Sequence, residues 1–110
     1  MAIDHTSAGI IINILSASGG HSSDESATLI RAEHVEVFRM VMPSGKRTPE
    51  HRAAGAITIQ CIAGEIELVA HGKTQQLRAG QLVFLADGEA HEVCALSDAT
   101  LLISMWLHRK

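Results

Sequence analysis

From residue 56 onward, short β-prone stretches alternate with turn residues, and this spacing limits the folds open to the chain. Strands are predicted over residues 56–62, 66–70, 74–77, 81–85, 92–96 and 100–107. Glycines mark three of the breaks, at Gly64, Gly72 and Gly80, and a further break holds Asp87 and Gly88. No window of this region holds more than two convincing helical turns. Strands at intervals of roughly eight to twelve residues, with glycine-rich turns, indicate an all-β sandwich or barrel.

The first part of the chain adds more β-prone stretches and one polar run. Residues 28–31 and 35–42 are predicted strands, and the β-branched residues 10–15 (IIINIL) predict another. Residues 16–27 are rich in glycine and serine, and this composition predicts a flexible loop.

The length and composition are those of one compact domain. A chain of 110 residues is too short for two comfortable domains, and its 46% apolar residues can supply a core. We expect residues 28–110 to form the barrel. Residues 1–27 are expected to form an N-terminal strand and flexible loop, which belong to the same domain or serve as a dimer arm.

Charge and aromatic content argue against several classes of function. The net charge is -3, aromatic residues make up 3% and tyrosine is absent, whereas a nucleic-acid surface needs a basic face and stacking rings. No apolar run is long enough to span a membrane, and no basic segment precedes residues 8–12 as in a secretion signal. The sequence therefore predicts a cytoplasmic protein without nucleic-acid or membrane partners, in which Cys61 and Cys94 are free thiols.

The β-rich part of the chain contains two groups of glycine and histidine residues whose spacing is characteristic. In the first, Gly45 is followed by five residues and then His51, and the group closes on Gly64. In the second, Gly80 leads through an Asp-Gly pair to His91. The order and spacing resemble the two motifs of the cupins, small RmlC-like jelly-roll barrels, which read G-x5-H-x-H-x3,4-E-x6-G and G-x5-P-x-G-x2-H-x3-N. The resemblance covers residues 28–107 and implies an all-β double-stranded β-helix, or jelly-roll barrel.

The metal-binding positions of those motifs are only partly kept. His51 and His91 match two of the four usual ligands, but Ala53 replaces the second histidine and Ile57 replaces the glutamate. The resemblance implies that His51 and His91 are the candidate metal ligands. Two neutral imidazoles rarely hold a transition metal strongly, because catalytic sites usually supply three protein ligands. Any divalent transition metal is therefore expected to be weakly held.

Strand alternation extends the site from Ile57 to its neighbours. If Ile57 points inward, Ile59 and Cys61 also point inward, because side chains alternate along a strand. Cys61 is then either a third, soft metal ligand or a small buried hydrophobe. The predicted ligand pocket consists of His51, Ala53, Ile57, Ile59, Cys61 and His91.

Three functions are compatible with this pattern. The first is binding of a small anionic or aromatic molecule in an apolar barrel pocket with His51 and His91 at its rim. The second is a metal-dependent cupin enzyme, a dioxygenase, isomerase or decarboxylase, with an incomplete protein ligand set. The third is a structural module with a vestigial pocket. The sequence assigns no catalytic residue, and a fold alone does not select among the three.

Apolar residues on both faces of several strands predict an assembly. Residues 35–42, 10–15 and 101–107 all lack the clean alternation of a strand with one face in water. A barrel interior covers only one face of each strand, and a two-fold dimer is the commonest way to cover the other. We therefore expect a homodimer with Phe38, Met40 or Trp106 partly in its interface.

Overall fold

The computed structural model describes residues 8–15 and 26–107. This part of the chain contains β-structure and no helix, and therefore no helix that could span a membrane. All strand pairings are antiparallel. The nine strands are β1 (Ala27–Arg31), β2 (Val35–Met42), β3 (His51–Arg52), β4 (Ile57–Ala63), β5 (Glu65–Ala70), β6 (Lys73–Arg78), β7 (Leu82–Leu85), β8 (Ala90–Ala95) and β9 (Ala99–Trp106).

Two sheets enclose one core, which confirms the jelly-roll prediction. The five-stranded sheet has the order β1-β2-β9-β4-β7, and the four-stranded sheet has the order β3-β8-β5-β6. Alternation along the strands builds the core: in β4, Ile57, Ile59 and Cys61 are buried, whereas Thr58 and Gln60 are only partly buried. The predicted strands from residue 28 onward lie at or within a few residues of observed ones. The short strand β3, which carries His51, was not predicted as a strand.

The chain passes from one sheet to the other at Gly64. This residue lies between β4 of the five-stranded sheet and β5 of the four-stranded sheet, and its φ is +81°. A Cβ atom there would overlap the backbone carbonyl of Asp98 and lie 2.8 Å from the Cα of Ala99. Glycine is therefore required for both its backbone conformation and the close approach of the neighbouring chain.

The prediction of a strand over residues 10–15 is wrong. Residues 10–13 have irregular backbone and residues 14–15 form a bend; Ile12 and Ile14 are partly buried, while Ile11 is 95% exposed. The Nη1 of the buried Arg39 donates a 2.9 Å hydrogen bond to the carbonyl of Ile14. The segment lies against the outer face of the five-stranded sheet, near Val37, instead of pairing as a strand. Its β-branched side chains are used for side-on packing, which strand propensity does not distinguish from sheet pairing.

The outer face of β2 is thus partly covered within the same chain. Phe38 and Met40 point into the barrel, which corrects the expectation that either one lies in a subunit interface. Trp106, the third residue named for that interface, is 47% exposed. Residues 1–7, 16–25 and 108–110 lie outside the described part of the chain.

Candidate functional site

The two motif histidines face each other across neighbouring strands. His51 of β3 pairs with His91 of β8, so that the backbone register places the two side chains together. Their ring centroids are 4.3 Å apart, with an angle of 58° between the ring planes. This separation agrees with the expectation that the two imidazoles converge inside the barrel mouth. Strand pairing, rather than a loop, holds the pair in position.

A backbone carbonyl lies beside the Nδ1 of each ring and favours a hydrogen on that nitrogen. The Nδ1 of His91 lies 3.1 Å from the carbonyl of Glu89, and the Nδ1 of His51 lies 3.4 Å from the carbonyl of Pro49. Because a carbonyl oxygen only accepts hydrogen bonds, each Nδ1 is the donor. In the neutral ring, each Nε2 therefore carries a lone pair that is available to a ligand.

The two imidazoles differ in burial. His91 is 3% exposed, whereas His51 lies at the exposed edge of the site. Burial lowers the pKa of His91 below its usual value, and the neighbouring His51 also lowers it, while the hydrogen bond to the Glu89 carbonyl acts in the opposite direction. His91 is therefore held in the uncharged form at neutral pH.

A small apolar cavity lies beside the histidine pair. Its volume is about 40 Å³, which is room for roughly three water molecules. Among the described residues, no charged side chain lines it. The lining residues are Phe38, Met40, Thr48, His51, Ala53, Ile57, Ile59, His91, Val93, Ile103 and Met105.

The structure brings together five of the six residues predicted for the pocket. His51, Ala53, Ile57, Ile59 and His91 line the cavity. The lining residues from β2, β8 and β9 were not predicted from the sequence. An apolar stretch such as residues 35–42 does not reveal which of its faces points inward. The pairing of β2 with β9 supplies that information.

Cys61, the sixth predicted residue, does not line the cavity. It is fully buried in the core, and its Sγ lies 3.5 Å from the carbonyl of Ala63 and 3.4 Å from that of Gly64. Burial raises the pKa of the thiol and so disfavours the thiolate that binds metals. Of the two interpretations of Cys61, the structure favours the small buried hydrophobe.

Hydrogen bonds tie together the two chain segments that border the cavity mouth. Arg52 donates through Nη1 to the carbonyl of Gly88 at 2.6 Å, and the amide of Gly88 donates to the carbonyl of Ala53 at 3.2 Å. The amide of Gly55 donates to Oδ1 of Asp87 at 2.9 Å. Through these contacts, Asp87 and Gly88 anchor the segment before His91 to the segment after His51.

The carboxylate of Glu89 adds a contact from a third segment. It accepts a hydrogen bond from the amide of Ala86 and contacts Nε2 of His71 in the β5–β6 turn. His71 has a φ of 57°, a conformation that non-glycine residues seldom adopt. The backbone carbonyl of Glu89 holds the His91 ring, so this turn supports the histidine without lining the cavity.

The residues present do not fit the family's usual divalent metal site. Within residues 8–15 and 26–107, no three His, Cys, Asp or Glu side chains gather as a metal-binding group. Ile57 occupies the glutamate position and is 3% exposed, so the carboxylate is replaced by a buried hydrocarbon. Two imidazoles remain, which is fewer than the three protein ligands of most catalytic metal centres.

The antiparallel double sheet with a histidine pair at its mouth defines the class of small jelly-roll barrels. Residues 38–107 match the cupin domain family, and the chain belongs to that family. A comparison with curated proteins found no match.

Several solved structures share the fold at low sequence identity. A conserved protein of unknown function from Streptococcus pyogenes is 14% identical with a TM-score of 0.78, and the alignment covers 100% of this chain and 97% of that one. An RmlC-like cupin from Desulfovibrio desulfuricans is 20% identical with a TM-score of 0.74, covering 88% and 95%. The DMSP lyase DddQ from Ruegeria pomeroyi is 21% identical with a TM-score of 0.69, covering 74% of this chain and 46% of that one. At these identities the similarity establishes the fold alone.

Proposed function

We propose that this cupin binds a small molecule, which inserts one polar group between His51 and His91 and rests its apolar part on the cavity wall. The observation that carries the proposal is the pair of inward-facing imidazoles, 4.3 Å apart, over an apolar cavity. A few convergent polar groups in an otherwise apolar pocket are typical of small-molecule sites. The size of the cavity, about 40 Å³, admits a group of roughly three heavy atoms.

The positions of the ring hydrogens indicate which polar groups of a ligand can bind between His51 and His91. Both Nδ1 atoms face backbone carbonyls, so the neutral pair presents two Nε2 lone pairs. Lone pairs accept hydrogen bonds and repel the lone pairs of a carboxylate. The low pKa of His91 keeps this acceptor character at neutral pH. The proposed ligand therefore carries a hydroxyl, an amide N–H or a protonated acid, so that of the anionic or aromatic molecule expected from the sequence, the aromatic alternative is favoured.

A screen of small fragments tests the binding function. Ligand-observed NMR should detect hydroxyl- or amide-bearing fragments with an aromatic or short aliphatic body. Binding should be lost in His91→Ala and weakened in His51→Ala, whereas His34→Ala, in the exposed β1–β2 turn, should bind as the unaltered protein does. Fragments that bind all three variants equally would place the ligand elsewhere and contradict the proposal.

A metal-dependent cupin enzyme is the second candidate. The supporting observation is the Nδ1–H to carbonyl contact of each ring, because metal-ligating histidines commonly donate their other N–H to a carbonyl or carboxylate. A divalent transition metal would be held by the Nε2 atoms of His51 and His91 and by water or substrate. Elemental analysis before and after dialysis against a mild chelator tests this: the metal should be lost, and retention of one equivalent would contradict weak binding.

The protein is also proposed to form a homodimer through the outer face of the five-stranded sheet. Six of the seven large apolar side chains that are exposed in the described residues lie on this face or on the N-terminal segment against it. A contiguous apolar surface of this kind commonly marks a protein interface. The six residues are Ile10, Ile11, Leu15, Leu82, Phe84 and Trp106.

A further inference from the structure

A second apolar cavity lies on the outer side of the five-stranded sheet, away from the histidine pair. Its volume is about 340 Å³, against about 40 Å³ for the cavity at the barrel mouth. The sheet forms one wall, and the side chains of Ile10, Ile12 and Ile14 form the other. We infer that this space, the N-terminal cleft, binds a neutral molecule with an aliphatic body and one hydroxyl or carbonyl group.

Strand pairing fixes the wall that the sheet contributes to the N-terminal cleft. Ile30 of β1 pairs with Val37 of β2, and Val37 pairs with Ser104 of β9, so that these side chains form one row across three strands. Leu102 lies on the same face of β9 as Ser104, because side chains two residues apart share a face. The register of β1 shifts at residue 29, which adds Leu29 to the same wall. This wall is therefore formed before any ligand binds.

The opposite wall is anchored at one end. Nη1 of the buried Arg39 donates a 2.9 Å hydrogen bond to the carbonyl of Ile14, and hydrogen bonds from a charged donor are among the stronger ones. The amide of Leu15 donates to Oδ1 of Asn13 at 3.2 Å, which fixes the bend beside this anchor. Ile10, at the other end of the segment, is exposed. A ligand can therefore enter beside Ile10 without breaking the hydrogen bond at Ile14.

The lining of the N-terminal cleft selects an uncharged ligand. Seven of its eight described lining residues are isoleucine, leucine or valine, and Ser104 is the one polar residue among the eight. A carboxylate or an ammonium group in such surroundings loses its hydration without gaining a partner of opposite charge. The hydroxyl of Ser104 both donates and accepts hydrogen bonds, so it can bind a hydroxyl or a carbonyl oxygen of the ligand.

The volume of the N-terminal cleft fits a whole small molecule. Protein interiors contain few voids larger than a water molecule, so an apolar space of about 340 Å³ between packed elements is unusual. Since an apolar cavity of about 150 Å³ binds benzene, the N-terminal cleft has room for roughly ten heavy atoms. The inference does not rest on the proposed function, because it concerns different residues on the other side of the sheet.

The experiment is a titration of the full chain with 1-octanol at pH 7, followed by NMR of ¹³C-labelled methyl groups. We expect saturable binding, with nuclear Overhauser effects between the octanol chain and the methyl groups of Ile12, Ile14 and Leu102. Octanoate has the same chain length but carries a charge at this pH. It should bind at least about tenfold more weakly, because its carboxylate would lie in an apolar wall.

Two pairs of matched variants locate the ligand. Val37→Trp fills the N-terminal cleft and should abolish octanol binding, whereas Val41→Trp, on the same face of β2 but outside the cleft, should not. Ser104→Ala removes the one polar group and should weaken octanol binding by roughly three- to tenfold, the worth of a single hydrogen bond. Thr58→Ala, at the residue that pairs with Ser104 on β4 and lies outside the cleft, should leave the affinity unchanged.

Two further variants separate the N-terminal cleft from other binding sites. Octanol should still bind His91→Ala, and a loss there would place it at the barrel mouth, which overturns this inference and supports the proposed function. It should also still bind Leu82→Glu/Phe84→Glu, and a loss there would place it between two copies of the chain and equally overturn the inference. The absence of octanol binding, equal affinity for octanoate, or unchanged binding in both Val37→Trp and Ser104→Ala would overturn it as well. None of these last three results would affect the histidine site, which is tested by fragment binding to its own variants.

Discussion

At the scale of single residues, the chemistry of the cavity depends on what stands beside the two imidazoles. Ala53 and Ile57 occupy the positions where the family motif has histidine and glutamate, and both line the cavity. Replacing a carboxylate by a buried hydrocarbon removes the charge that a divalent ion requires and makes the wall suited to an apolar group. The two motif histidines are therefore kept, while the residues beside them favour an apolar group over a divalent ion.

Restoring the family residues should reverse that preference. The double substitution Ala53→His/Ile57→Glu creates a four-ligand shell, and we expect the affinity for Co²⁺ or Mn²⁺ to rise by at least about tenfold. In the absence of metal it should lower the free energy of unfolding by roughly 3 kcal/mol, because a carboxylate then lies in an apolar wall.

Calorimetric titration and chemical denaturation in chelator measure the two effects. Thr74→Glu, at an exposed position of the other sheet, is the control and should produce neither. If the double substitution changed neither metal affinity nor apo stability, Ile57 would not face the cavity and the register of β4 would be wrong.

The buried His91 predicts a pH dependence of stability. Its pKa is lowered in the folded protein, chiefly by burial, whereas in the unfolded chain it has the ordinary value near 6.5. Below that value the unfolded state binds the proton more readily, so the free energy of unfolding falls as the pH decreases, by at most about 1.4 kcal/mol per pH unit from this group. Above it, the group contributes no slope.

Urea denaturation of the metal-free protein between pH 5 and 8, roughly spanning the titration range of histidine, measures this contribution. His91→Gln should show a shallower loss of stability on the acid side than the unaltered protein. Parallel curves for the two proteins would mean that His91 titrates with an ordinary pKa and is not desolvated.

At the scale of secondary structure elements, the crossing between sheets has the strictest requirement. Gly64 combines a φ of +81° with a close approach to the backbone of Asp98 and Ala99. Gly80 has a similar φ of +92°, but a Cβ atom there would have no other atom within 4 Å. A comparison of Gly64 with Gly80 therefore separates the energetic cost of a positive φ from the cost of steric overlap.

Substituting each glycine by alanine should give unequal losses. Gly80→Ala should lower the free energy of unfolding by about 1 kcal/mol, the cost of a left-handed conformation for an L-residue. Gly64→Ala should lower it by about 3 kcal/mol or more, because the backbone of the neighbouring chain must also shift. Urea denaturation measures the free energy of unfolding of both variants. Equal losses would show that the close approach at Gly64 does not affect stability.

Elements with one apolar face could be predicted from the sequence, and elements defined by packing could not. The alternation in β4 placed Ile57 and Ile59 on the inner face, and the structure agrees. Residues 10–15 have the same β-branched composition but lie across the outer face, because their side chains bury area without backbone pairing. The short strand β3 depends on its pairing with β8, which is a contact between distant parts of the chain and leaves no local pattern.

In the candidate site, too, the residues with a local sequence pattern could be predicted and those placed by packing could not. The motif spacing located His51 and His91, but the spacing contains no information about the wall contributed by β2 and β9. Met40 and Met105 enter the site only through the antiparallel pairing of those strands. Cys61 was placed on the correct face but lies deeper than the cavity, since alternation gives the face of a residue and not its depth.

At the scale of the whole molecule, the outer face of the five-stranded sheet carries three exposed large apolar side chains. Leu82 and Phe84 on β7 are 60% and 62% exposed, and Trp106 lies on the same face. The N-terminal segment covers the part near Val37 and leaves these residues uncovered. A second copy of the chain, related by a two-fold axis, would cover them on both molecules at once.

Charge introduced on this face should dissociate the dimer. Sedimentation should give a dimer for the unaltered protein and a monomer for Leu82→Glu/Phe84→Glu, because burying two carboxylates in an apolar interface is unfavourable. Thr74→Glu/Gln76→Glu, at exposed positions of the other sheet, should remain dimeric. A monomeric unaltered protein, or dimers in every variant, would exclude this face as the interface.

His51 and His91 are proposed to form one ligand-binding unit in which both Nε2 atoms are available to a ligand. Long-range ¹H–¹⁵N NMR of the histidine side chains tests it directly, with the signals assigned through His51→Gln and His91→Gln. We expect the Nδ1–H tautomer for both rings at neutral pH and a joint shift of both Nε2 signals when a fragment binds. An Nε2–H tautomer in either ring, or a ligand that shifts only one of them, would contradict it.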